Sequence, residues 1–126
     1  MQYWNNPNLI FNKVSSLDDA YLNIEFIDPD RMANPKWIAQ YSKKIKSIQL
    51  NYAHSDILKG KRISAAVAHE FGHVIGLEHT RQINSIMNEK IPSDAQPSIH
   101  DLNRMNKKLP LFYYKMKLQN SLNNLI

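Results

Sequence analysis

Arg62-Ile-Ser-Ala-Ala-Val-Ala-His69-Glu70-Phe71-Gly72-His73-Val-Ile-Gly76-Leu77-Glu78-His79 decides how the chain reads. Residues 62–77 are Ala-rich and free of Pro, which predicts an α-helix. His69 and His73 stand four apart, so a helix puts both imidazoles on one face, about one turn apart. There both can reach a single ion. Glu70 follows the first His and can contact a water on that ion. Gly76 and His79 complete the pattern H-E-x-x-H-x-x-G-x-x-H. A third ligand six residues after His73 cannot share the helix face at that distance, so the helix must end and the chain turn back. Gly76 can adopt the left-handed conformation that ends a helix without steric cost. Three imidazoles plus one water complete a catalytic zinc site with one open position. In a shuffled chain of this composition the full pattern would arise roughly once in 10⁵ tries.

Outward from this segment, residues 21–27 alternate. Leu22, Ile24 and Phe26 point one way and Asn23 and Glu25 the other, as in a half-buried strand. Residues 9–11 read as a shorter strand before it. Asn34 and Pro35 read as the cap and first residue of a helix whose stripe is Trp37, Ile38, Tyr41 and Ile45. Residues 47–52 alternate again through Ile48, Leu50 and Tyr52, a second strand. Residues 81–96 carry polar and Pro signals of a loop. Ser98 caps a last helix, with Asp101 as its capping-box partner and Ile99, Leu102, Met105 and Leu109 as its stripe. Pro110 is expected to stop it, leaving residues 110–126 as a tail without an assigned role.

The chain has 126 residues, a length expected for a single domain over residues 1–126. Hydrophobic residues make up 43% and charged residues 21%, which excludes disordered and fibrous classes. No apolar run approaches the roughly 20 residues of a membrane span. The absence of Cys excludes a disulfide scaffold, thiolate metal ligands and a cysteine nucleophile. The first residues show no basic stretch followed by an apolar core, so no signal peptide is read here. The net charge is +5, but the lysines are scattered and not interleaved with aromatics. The charge therefore reads as solvated surface, and no nucleic-acid partner is expected.

The extended motif resembles that of the metzincin clan of zinc endopeptidases. Asn84-Ser85-Ile86-Met87, eight residues after His79, resembles that clan's Met-turn. Within the clan the chain is most similar to the matrixin family, through His69 to His79, Ser85 to Met87 and Pro97 to Asp101. The strand at 21–27, the strand at 47–52, Trp4 and Phe11 extend the resemblance over roughly residues 4–109. The resemblance implies an α+β (mixed α/β layered), metzincin-like zincin fold. Its parts are a small twisted, mostly parallel sheet, an active-site helix and a C-terminal helix. The strand and helix that open the family's domain ahead of the Trp are not seen in this chain. No His lies between residues 1 and 53, so no second zinc is expected. Asp28 and Asp30 offer carboxylates for Ca²⁺, but with Pro29 between them they read as a turn.

The reading is metal-assisted peptide hydrolysis, with His69, His73 and His79 on one Zn²⁺ and Glu70 as general base. Met87 would underlie the metal. A peptide would add as an extended strand along an edge strand formed by Ser47, Ile48, Gln49, Leu50, Asn51 and Tyr52. The resemblance implies that Asn88, Glu89 and the residues up to 96 wall the pocket beyond the scissile bond. His54 and His100 read as surface residues. Glu78 and Glu89 are rival third ligands, disfavoured by the turn at Gly76 and by the lack of a helix near residue 89. The alternative reading is an inactive zinc-binding remnant of a metzincin. A monomer, secreted or at the cell surface, is what the resemblance implies.

Overall fold

A computed structural model describes Trp4, residues 20–90 and residues 96–124. Strand β1 runs Asn23–Ile27, β2 Ala39–Ser42 and β3 Ser47–Asn51. Helix α1 spans Lys61–Ile75 and α2 spans Ile99–Asn124. The sheet order is β1-β3-β2, with β1 parallel to β3 and β2 antiparallel to it. The architecture is therefore α+β as expected, but the sheet is mixed rather than mostly parallel.

The expected helix after Asn34 is not formed. Asn34 makes only an Asx turn, its Oδ1 accepting from the Lys36 N–H at 2.9 Å. The chain then enters β2 and returns through residues 43–46 into β3, with Lys46 at φ 50 taking the left-handed turn position. Ile and Tyr suit a strand as well as a helix, and here the ladder to β3 satisfies the backbone. Tyr41 lies opposite Ile48 and Ala39 opposite Leu50, so both join the apolar face of β3. Trp37, Ile38 and Ile45, assigned to a helical stripe by spacing, are exposed.

That hairpin also corrects the position of the second strand. Residues Ser47, Ile48, Gln49, Leu50 and Asn51 form the central strand, paired on both sides and buried throughout. They present no free edge. Tyr52 lies outside the strand, in the 3-10 turn Tyr52–His54, and is exposed. The alternation in β1 holds in direction, since Ile24 and Phe26 pair with Ile48 and Leu50 on one face. At the sheet margin, however, they remain 48% and 42% exposed, because α1 packs over β2 and β3. Asp28 precedes the 3-10 turn Pro29–Arg31, as the Pro implied. The short strand read at residues 9–11, and Phe11, lie outside the described residues.

The core joins Ile48 and Leu50 to Ala65, Ala68, Phe71 and Ile75 of α1 and to Met105 and Leu109 of α2. Trp4 is fully buried among them, its indole N–H donating to the Ala68 carbonyl at 2.8 Å. Pro110 does not stop α2, which continues to Asn124. Pro110 lacks the N–H for one helical bond, a cost of about 3 kcal/mol in a helix interior. Packing beyond it offsets that loss. Phe112 and Tyr113 lie against the core, and Phe112 meets Tyr21 edge-on at 5.7 Å.

Candidate metal centre

Helix α1 ends where Gly76 adopts φ 110. The Gly76 N–H reaches the His73 carbonyl at 3.1 Å and the Leu77 N–H reaches the Gly72 carbonyl at 2.9 Å. These are the paired bonds of a Schellman turn, with Leu77 buried behind it. The turn brings His79 back over the helix. His79 Nε2 lies 3.2 Å from both His69 Nε2 and His73 Nε2.

The other ring nitrogens of His69 and His73 settle what two of those atoms can do. His69 Nδ1 lies 2.7 Å from the Ile86 carbonyl and His73 Nδ1 2.8 Å from the Leu77 carbonyl. A carbonyl only accepts, so each Nδ1 carries the proton and donates. Each Nε2 is then left as a lone pair. With its own Nε2 lone pair turned to the same point, His79 would complete a set of three donors around a cation. A four-coordinate zinc with bonds of about 2.0 Å spaces its nitrogen ligands about 3.3 Å apart. The residues present therefore fit a zinc ion. Burial foremost lowers the pKa of His69 to about 4 and lowers that of His73 as well, so both are neutral at pH 7.

Glu70 is 6% exposed, and its Oε1 lies 4.0 Å from His69 Nε2. Burial raises its pKa to about 7. It sits beside the three nitrogens without joining them, as a proton acceptor for a molecule bound there would. Among the described residues the cluster that can hold a metal consists of His69, His73 and His79. Glu78 and Glu89 are exposed and outside it, His54 is half-buried in the turn after β3, and His100 is exposed.

Met87 lies beneath this helix, fully buried. Its Sδ and Cε press on Gly72, where an added Cβ would fall inside Sδ and 2.9 Å from Cε. The loop around it is tied down from two directions. The Thr80 N–H donates to the Met87 carbonyl at 3.0 Å. From α2, the fully buried Asp101 accepts from Ser85 Oγ at 2.6 Å and from the Ile86 N–H at 3.2 Å. The same carboxylate closes the expected capping box, accepting the Ser98 N–H at 2.8 Å. Asp101 was legible as a cap and as the end of the Pro97–Asp101 segment of the resemblance. Its grip on Ile86, the residue whose carbonyl orients His69, was not visible, nor were the Ile86 and Leu77 carbonyls, because a backbone group leaves no mark in a sequence. Asn88 is half-buried, its amide donating to the Gln82 carbonyl at 2.9 Å, and Glu89 is exposed.

A helix carrying two imidazoles, a glycine turn delivering a third, and an adjoining carboxylate are the parts of a metallopeptidase domain of the metzincin type. The matrixin family profile matches residues 1–107, and the chain belongs to that family. Comparison with curated proteins and with solved structures gave no match. Among the described residues no helix is long and apolar enough to cross a membrane.

Proposed function

We propose that the protein is a zinc-dependent endopeptidase, with His69, His73 and His79 as the metal ligands. The observation that carries this is the convergence of the three ring nitrogens, His79 Nε2 lying 3.2 Å from each of the other two Nε2 atoms, with the Nδ1 protons of His69 and His73 committed to backbone carbonyls. When bound, the ion supplies Lewis acidity, polarising the scissile carbonyl and acidifying a water. Glu70 would accept a proton from the attacking water and return it to the leaving amine. A buried carboxylate beside the ligand nitrogens is placed for this exchange. Met87 forms the floor under the ligand helix.

The substrate would lie as a strand on β2 rather than β3. The Asn51 N–H bonds the Ile38 carbonyl at 2.8 Å, so alternation along the pair turns the peptide groups of Ala39 and Tyr41 away from β3. β2 packs on α1, the helix that carries His69 and His73. Asn88 and Glu89 would border the pocket beyond the scissile bond. Family membership also favours a location outside the cell or at its surface.

The test is cleavage of casein and of a peptide library, with and without chelator, beside Glu70→Ala. The wild type should cut, lose activity to chelator and regain it with zinc. Glu70→Ala should bind one zinc and lose roughly 10²–10⁴ in kcat. If wild type and variant both bind zinc and neither cuts any peptide, the protein is a zinc-binding module instead.

A further inference from the structure

The net charge of +5 is not spread over the molecule. Five of the 16 basic residues follow Asp101 and none of the 11 acidic ones does, which leaves eleven basic and ten acidic residues before it. Most of the excess therefore lies on α2, which carries Arg104, Lys107, Lys108, Lys115 and Lys117 against one carboxylate, Asp101. Arg104 is engaged, donating to the Glu78 carbonyl at 2.9 Å. The four lysines are exposed and make no ion pair with a described residue.

The same helix has two apolar faces. Leu102, Met105, Leu109, Phe112 and Tyr113 pack on the core. On the outer side Lys107, Lys108, Leu111, Tyr114, Lys115 and Leu118 recur every three or four residues, forming one stripe about 16 Å long. Within it Leu111, Tyr114 and Leu118 are 51%, 60% and 47% exposed. Interleaving gives this face both an apolar and a cationic character. Lysine stems can lie along an apolar surface while their ammonium groups reach outward to anions.

We propose that this outer face of α2 docks on an anionic lipid bilayer, with Leu111, Tyr114 and Leu118 entering the headgroup boundary and Lys107, Lys108 and Lys115 meeting the lipid phosphates. Charge complementarity selects the anionic surface, and the leucines select lipid over nucleic acid, since they add nothing to phosphate contacts in water. The face begins beside the turn that delivers His79, where Arg104 holds the Glu78 carbonyl. Docking would therefore hold the metal centre close to the membrane surface.

The test is co-sedimentation of the full chain with vesicles of phosphatidylglycerol and phosphatidylcholine, and with vesicles of phosphatidylcholine alone. Binding should require the anionic lipid and weaken with salt. K107Q/K108Q/K115Q should bind roughly 100-fold more weakly. L111Q/L118Q, with every charge kept, should lose at least about tenfold. Circular dichroism checks that each variant stays helical. Y114W reads insertion without loss of packing, and its emission should shift to the blue on the mixed vesicles alone. The proposal is overturned if the wild type binds neither vesicle or binds both equally, or if L111Q/L118Q binds like wild type. It is equally overturned if the Y114W emission does not move, or if a DNA duplex binds more tightly than the mixed vesicles.

Discussion

Gly72→Ala tests the packing beneath the metal-binding helix. Gly72 is interior to α1, so on propensity alone Ala would stabilise the helix by about 1 kcal/mol. The new Cβ would instead meet Met87 Sδ and Cε and come within 3.3 Å of Trp4 Cζ2. Both neighbours are fully buried, and Trp4 is anchored through its bond to Ala68, so neither can swing aside into solvent. Overpacking of this kind costs about 1–3 kcal/mol, and because the flexible end of Met87 is enclosed rather than free to move into solvent, the upper part of that range applies. The net expectation is a loss of about 1–2 kcal/mol, or roughly 3–8 °C in Tm for a domain of this size. Urea unfolding of the metal-free protein should show a lower midpoint at an unchanged slope. Zinc affinity should fall about tenfold, because displacing Met87 disturbs the neighbouring Ile86 carbonyl that orients His69. Met87→Ala removes the obstacle, so the double variant should be more stable than the sum of the singles by at least about 1 kcal/mol. If Gly72→Ala is as stable as wild type, or if the two substitutions are additive, the close packing of Met87 on the helix is refuted.

Further outcomes follow from the same contacts. Asp101→Ala should destabilise by about 3 kcal/mol and weaken zinc binding, since the Ile86 and Ser98 amides and the Ser85 hydroxyl lose their buried acceptor; unfolding and zinc titration check both. Pro110→Ala should raise stability by about 1–3 kcal/mol if α2 is continuous, whereas a helix ending at residue 110 would leave Tm unchanged. In the metal-free protein the raised pKa of Glu70 means that its contribution to stability is present below about 4.5 and lost as pH rises to about 7. Glu70→Gln removes that loss, and its Tm should gain on wild type across this window, by up to about 3 kcal/mol in stability. His69, lowered to about 4, acts oppositely by stabilising as pH rises and is present in both proteins, so the difference between them isolates Glu70.

Much of the candidate centre was legible because its geometry is local. His69 and His73 share a face by helical period, and Gly76 ends the helix for reasons of its own backbone, so a short stretch carries most of the placement of three imidazoles. The capping box of Ser98 and Asp101 was legible for the same reason. Spacing failed where distant partners competed for the chain. Trp37, Ile38, Tyr41 and Ile45 have a helical rhythm, but pairing with Ser47–Asn51 offers the backbone a ladder that an isolated turn cannot match. That pairing buries β3 in the middle of the sheet and leaves the free edge to β2. Pro110 breaks a helix considered alone, yet packing of Phe112 and Tyr113 against the core carries α2 through it. The scattered lysines became one face only once α2 was continuous. Local sequence determined the clustering of the three imidazoles, because their spacing is a property of a few turns of backbone. Tertiary structure alone decided the sheet edge, the carbonyls that orient the imidazoles and the basic face of α2, because each depends on residues brought together from far apart in the chain.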